Sequence, residues 1–211
     1  MTNTPEPLAH RNSHATLERL LDALIEHPER RVEIEREVES IFGEEKAILV
    51  LDMSGFSRTT QRLGITQFLL MIHQMRLIAQ PCVTAHGGLV IKAEADNLFC
   101  LFDTVPDAVG AAQDITERLS AANLLLPEDK DLYVSIGIGY GHLLNIADQE
   151  LYGNEVNLTS KLGEDVAARG QILLTAAAHA QLGDTTLPLR EEWISISGLT
   201  LPYYSLAPAH D

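Results

Sequence analysis

Apolar residues recur at helical spacing in the first part of the chain. From residue 47 they gather into strand-like runs. Leu17, Leu20, Leu21, Leu24 and Ile25 form the i, i+3, i+4, i+7, i+8 stripe of an amphipathic helix over residues 16–26. His27-Pro28 should stop it, because a residue before proline is pushed out of the α region. Pro28 can then open a second helix, with Ile34, Val38, Ile41 and Phe42 on one side and an end near Gly43. Two such helices cannot bury themselves. They are expected to dock on the main domain or on a second copy of the chain.

Ala47-Ile48-Leu49-Val50-Leu51 is a continuous apolar run ending at Asp52, as expected of a buried central strand. A helix follows over 65–79, with Thr66 as a candidate cap. Gly87-Gly88 leads into a hairpin that runs up through Leu89–Lys92, turns at Ala93–Asp96 and returns through Asn97–Phe102. A helix is predicted over 105–122 and a strand over 132–140. Gly137 and Gly139 lie inside that strand, and glycine there often marks close approach of something to the backbone. Leu143–Ile146 is read as a segment pairing with it. A helix over 154–168, a strand over 171–175, a short helix over 176–182 and two β runs at 193–196 and 203–206 complete the chain.

Strand, helix, two hairpin strands, helix, strand is the ferredoxin-like βαββαβ order. The fold class is therefore α+β, a βαββαβ core with appended α/β elements. Its expected divisions are a disordered lead-in (1–15), an N-terminal helical hairpin (16–45) and the main domain (46–211).

Composition narrows the function classes. The 211 residues carry 15 basic and 30 acidic side chains, a formal net charge of −15. That opposes binding to nucleic acid or to an anionic membrane, both of which need a positive surface. It permits cation binding. No run of about 18 apolar residues is present to span a bilayer, and the start has no signal-peptide pattern. Cys82 and Cys100 make neither a disulfide framework nor a zinc cluster. A reduced, cytoplasmic protein is the expectation.

The βαββαβ order places the end of the first strand beside the turn of the hairpin. Asp52 sits at the first place and Asp96 at the second. Two converging carboxylates suit Mg²⁺ or Mn²⁺, which take oxygen donors and bind through few carboxylates plus substrate phosphates. Two ions per site could clamp a triphosphate. The alternative, two solvated turn aspartates, is open on this pattern alone. The segment Asp52-Met53-Ser54-Gly55-Phe56-Ser57 adds small residues whose N–H groups can approach phosphate oxygens. Met53 is assigned with the metal, and Gly55, Phe56 and Ser57 with the substrate.

Four motifs in order resemble the catalytic domain of the class III adenylate and guanylate cyclases, over about residues 46–183. They are Asp52-x-x-Gly55-Phe56-Ser57, Lys92-x-x-Ala95-Asp96 after Gly87-Gly88, Gly137-Ile138-Gly139-Tyr140-Gly141, and Glu150-x-Tyr152-Gly153-x-x-Val156-Asn157-x-x-x-Lys161. The resemblance implies that Asp52 and Asp96 bind metal, that Lys92 and Glu150 read the purine, and that Asn157 positions the ribose and reacting phosphate. It implies a homodimer, with the aspartates from one copy and the other groups from its partner. The reaction implied is conversion of a nucleoside triphosphate, ATP favoured, to the 3′,5′-cyclic monophosphate and pyrophosphate. Pyrimidine cyclisation fits less well because of Lys92, and a diguanylate cyclase less well because the turn lacks Gly-Gly-Asp-Glu-Phe. Three positions depart from the family pattern. Lys161 replaces its arginine, Ala95 replaces the glycine before the second aspartate, and Ser197 stands where a lysine contacts the terminal phosphates. These departures support an alternative, a weak or inactive cyclase-fold regulatory module that binds a cation or nucleotide. Lys161 could instead pair with Glu164 or Asp165 along its helix.

Overall fold

A computed structural model describes residues 12–54, 64–127, 130–183, 185–196 and 198–207. Gly55, Phe56, Ser57 and Ser197 lie outside the described residues. Helix α1 (His14–Glu26) starts two residues before the predicted position, because Ser13 caps it by accepting the Thr16 N–H at 3.2 Å. Asn12, assigned to a disordered lead-in, is fixed. Its amide donates to the Asn145 carbonyl at 3.0 Å, and its own carbonyl accepts the Ala147 N–H at 2.7 Å. Pro28 opens a 3-10 turn (Pro28–Arg30) rather than the second helix, and α2 is Arg31–Phe42. Leu20, Ile34 and Phe42 of this hairpin bury themselves against Ile146.

Strand β1 (Gly43–Met53) follows α2 with no loop and begins three residues before Lys46. Then come α3 (Ile65–Ala85), β2 (Leu89–Glu94), β3 (Asn97–Phe102), α4 (Val105–Asn123) and β4 (Val134–Ile146). The remaining elements are β5 (Glu150–Tyr152), α5 (Asn154–Lys161), a π turn (Leu162–Val166), β6 (Ile172–Thr175), α6 (Ala176–Gln181), β7 (Leu189–Ile196) and β8 (Leu199–Leu206). Helix α3 runs past its predicted end and through Pro81. Gly64, not Thr66, stands at its cap position. Leu143–Ile146 is not a separate pairing segment. It continues β4, because Gly43–Lys46 extends β1 and gives those residues a partner. Strand β5, absent from the sequence reading, pairs with the end of β4 through a turn in which Ala147 and Asp148 have positive φ.

The sheet order is β2-β3-β1-β4-β6-β8-β7, with β5 beside β4. Each of its first four strands is antiparallel to its neighbour, in the ferredoxin-like order. Residues alternate between the two faces. Ala47, Leu49, Leu51 and Met53 point into the main core with α3 and α4, where Phe68, Met75, Ala112 and Ile115 are buried. Ile48 and Val50 point to the other face, with Ile91, Phe99, Leu101, Leu143 and Val156. Asp52 shares that second parity.

The strand glycines admit a helix onto this second face. A Cβ at Gly137 would lie 2.3 Å from the Thr159 carbonyl oxygen, and one at Gly163 would lie 2.8 Å from the Val50 carbonyl oxygen. Helix α5 and its π turn therefore rest directly on β4 and β1. The helix predicted to run from 154 to 168 stays α-helical only to Lys161, and the wider turn then closes with the Ala167 N–H on the Leu162 carbonyl at 2.8 Å. Among the described residues no helix is long and apolar enough to cross a membrane.

Candidate functional site

Strand register brings the two aspartates together. Leu51 pairs with Leu98 between β1 and β3. Asp52 lies one residue past that pair and Asp96 two residues before it, in the β2–β3 turn. The Asp52 carboxyl is half-buried and pushed up to about 7. Burial is the largest cause, followed by the negative charges of Asp96, Glu164 and Asp165, while the Met53 N–H opposes the shift. The Met53 side chain is buried in the core, so only its backbone can face the site.

The turn at Asp96 is held from α3. Arg76 donates from its guanidinium to the Ala95 carbonyl. Ala95 has φ +47°, the left-handed region. The family pattern has glycine there, and a side chain at that φ costs roughly 1–2 kcal/mol. Ala95→Gly should therefore stabilise the chain, though glycine's freer unfolded state offsets part of the gain. The expected result is a Tm about 1–3 °C higher in a thermal melt; a lower Tm would show that the turn prefers the side chain.

Two acidic residues join the aspartates that the sequence reading placed elsewhere. Glu164 and Asp165 come from the π turn, which α5 lays over the end of β1. Glu164 accepts from the Asn97 amide at 3.1 Å, beside Asp96. Its carboxyl is raised from the usual range, first by shielding from solvent and then by Asp165, with Lys92 opposing and Asp96 and Glu94 adding to the rise. Sequence spacing offered Glu164 and Asp165 only as local partners of Lys161. Their approach to Asp52 depends on the seat of α5 on the sheet, and no spacing within the motif encodes it.

The candidate cations are occupied locally. Lys92 donates to Glu94 at 3.1 Å, with its ammonium 4.5 Å from the centre of the Phe99 ring. Lys161 donates to Asp165 at 3.0 Å, the i, i+4 pairing its helix allows. Glu150, on β5, accepts from the Tyr152 hydroxyl at 2.5 Å. Asn157 is exposed on α5. Asp52 and Asp96 are thus neighbours within one chain, and Lys161 reaches their cluster only through Asp165. Among the described residues, Glu150 and Asn157 form no hydrogen bond with either aspartate.

Hard carboxylate oxygens crowded until one of them holds its proton near neutrality fit a divalent cation. Among the described residues no group of three or more His, Cys, Asp or Glu forms a metal cage. A cation there would draw its remaining ligands from substrate and water, as Mg²⁺ commonly does.

No protein-family model matches the chain. A protein of Rhizobium meliloti (strain 1021) named "Putative adenylate cyclase 3" is 29% identical over 141 residues, 67% of this chain and 24% of that protein. The chain thus spans about a quarter of that relative's length. An adenylate/guanylate cyclase/hydrolase from Silicibacter pomeroyi superposes with a TM-score of 0.69 at 24% identity, over 79% of this chain and 98% of that one. The adenylyl cyclase CyaB from P. aeruginosa superposes at 0.66 and 20% identity, over 80% and 97%. The chain has the fold of the class III adenylate and guanylate cyclase domains.

Proposed function

We propose that this chain is a metal-dependent nucleotidyl cyclase, acting on ATP in preference to other nucleoside triphosphates, with its sites formed between two copies. The juxtaposed, half-buried pair Asp52 and Asp96 on a cyclase fold carries this reading. In the reaction the ribose 3′-hydroxyl gives up its proton to solvent water and its oxygen bonds to the α-phosphorus. The bond from that phosphorus to the bridging oxygen breaks, and pyrophosphate leaves.

Asp52 and Asp96 would hold Mg²⁺ or Mn²⁺, two per site, with the Met53 backbone alongside. Bound there, such ions supply positive charge to the attacking oxygen and the triphosphate. Lys92 and Glu150 of the second copy would read the base, a donor and an acceptor suited to the edge of adenine. Asn157 would orient the ribose, and Lys161 would offset charge on the α-phosphate. Gly55, Phe56 and Ser57 remain assigned to the substrate phosphates. For Lys92 and Lys161 to act, each must exchange its local acid, Glu94 or Asp165, for the nucleotide.

Purified protein supplied with Mn²⁺ or Mg²⁺ and with ATP, GTP, CTP or UTP in turn tests the proposal. Cyclic AMP should dominate and should vanish in Asp52→Ala and Asp96→Ala. A dimeric, metal-binding protein that makes no cyclic nucleotide from any of the four would overturn it.

The Lys161–Asp165 ion pair favours a second reading, a cyclase-fold regulatory module with little turnover. Lysine lacks the planar fork of arginine, and here it is already engaged. Lys161→Ala separates the two readings. An active cyclase should lose about 100-fold in kcat, as on removal of one transition-state donor. Unchanged residual turnover would place Lys161 outside the chemistry.

A further inference from the structure

A cavity of about 540 Å³ lies on the α3/α4 side of the sheet, across from the face that Asp52 shares. Its volume is in the range of small-molecule sites. Leu119 of α4, Leu132, Val134 and Leu206 wall it, so its floor is the main core itself. Two arginines stand at its mouth. Arg169 comes from the loop before β6 and Arg190 from β7.

Both guanidiniums are available for a ligand. Arg169 lies over the Tyr133 ring, its central carbon 4.2 Å from the ring centre. That stacking orients the plane without using its N–H donors. Among the described residues neither arginine has a carboxylate oxygen within 4 Å, although Arg190 is near enough to Glu192 to help lower its carboxyl. Glu192 also lines the cavity as a carboxylate: it accepts from the Ser205 and Tyr203 hydroxyls, each at 2.8 Å. These bonds, together with the nearby Arg190, hold it below the usual carboxylate range, so the two arginines outnumber it by one charge. In a chain of net charge −15, an apolar cavity lined by two arginines against one carboxylate is a local exception. The loop bearing Arg169 is anchored, since Gly170 N–H donates to the Val134 carbonyl at 2.8 Å and Ile136 N–H to the Gln171 carbonyl at 3.0 Å.

We propose that this cavity binds a small amphipathic organic anion, with an apolar body among the leucines and a carboxylate held by Arg169 and Arg190. An uncharged apolar molecule would leave the guanidiniums unused, and a purely inorganic anion would leave the apolar walls wet. The walls adjoin the end of β1. The Tyr133 carbonyl accepts the Ser54 N–H at 2.9 Å, two residues beyond Asp52, so an occupant would rest against the backbone that carries the carboxylate cluster. The site does not depend on the cyclase reading.

Fluorescence titration of the full chain with 1-anilinonaphthalene-8-sulfonate, a probe with an apolar body and an anionic head, tests the proposal. Binding should saturate at one probe per chain. Decanoate should displace it, and decanol should do so far less well. Both arginines are exposed at the rim, so the double substitution Arg169→Gln/Arg190→Gln should leave the thermal melt unchanged while weakening the probe at least 10-fold. Affinity unaltered by that substitution, binding that never saturates, or equal competition by decanol would each overturn the proposal. Leu119→Trp, which fills the cavity, should abolish binding independently of the charges.

Discussion

Asp52→Asn should cut the proposed cyclic nucleotide formation by at least about 100-fold and, in the absence of metal, make the protein more stable. The two effects have one origin. The Asp52 carboxyl is pushed up to about 7 by burial and by Asp96, Glu164 and Asp165. A carboxyl raised in the folded state above its usual 3.8 favours folding in its protonated form. Its contribution is harmless below pH 4, where the group is neutral folded or unfolded. It turns against folding as pH rises from about 4 to 7 and stays unfavourable above that. Asparagine removes the charge at all pH values. The advantage of the variant should therefore be near zero at pH 4 and fully developed by pH 8. Half the group sees solvent, which screens the repulsion, so the gain is about 1–2 kcal/mol rather than the full value of the shift. That corresponds to about 3–6 °C in Tm. Mn²⁺ should reverse the order, stabilising the native protein by mass action and the variant much less. Melts at pH 4, 6 and 8 with and without Mn²⁺ check all of this. A variant less stable than the native protein at pH 8 without metal would show that Asp52 is compensated by groups other than a cation.

The core topology was legible because each βαββαβ element carries its own period. The five-residue apolar run before Asp52, the stripe of α3 and the Gly87-Gly88 entry to the hairpin are local signals, and strand order follows from their sequence. The missing parts depend on partners. Leu143–Ile146 looks like a separate segment until Gly43–Lys46 is known to lie beside it, and those β1 residues are too polar to announce a strand. Strand β5 has only three residues, beyond the reach of any periodicity.

The site shows the same division. Asp52 and Asp96 could be paired from topology, since both sit at strand ends. The reading of Lys161 as an ion-pair partner along its helix followed from i, i+4 spacing and is observed with Asp165. The rest is tertiary. Glu164 and Asp165 reach the aspartates because α5 lies flat on β4, and Arg76 reaches Ala95 from a different helix. Ala95 stands where the family pattern has glycine, and no spacing along the chain shows what φ the turn requires there. At φ +47° it is a strained substitution.

Gly137→Ala should be among the most damaging single-methyl changes in the chain. Alanine ordinarily stabilises a strand relative to glycine by roughly 0.5–1 kcal/mol. Here the new Cβ would sit 2.3 Å from the Thr159 carbonyl oxygen and 2.8 Å from the Gly163 nitrogen. Both are backbone atoms, held by α5 and its π turn, and neither can rotate away. Helix α5 must lift off the sheet, uncovering Val156 and Leu162, both buried. The expected cost is about 4 kcal/mol or more, in the range reserved for overpacked cores, and a Tm lower by about 10 °C. Two neighbouring glycines calibrate the result. At Gly139 the Cβ would meet the Thr159 hydroxyl, a side chain, though a buried one that donates to the Glu155 carbonyl at 2.7 Å. At Gly141 it would meet only the Glu155 side chain, at an ordinary 3.5 Å. Stability should therefore fall steeply for Gly137→Ala, moderately for Gly139→Ala, and by no more than about 0.5 kcal/mol for Gly141→Ala. Because α5 carries Asn157 and Lys161, any Gly137→Ala protein that still folds should also lose the proposed turnover, while Gly141→Ala keeps it. Denaturant melts of the three variants decide the point: equal losses at all three positions would mean that the strand tolerates or rejects side chains for reasons unrelated to the seat of α5.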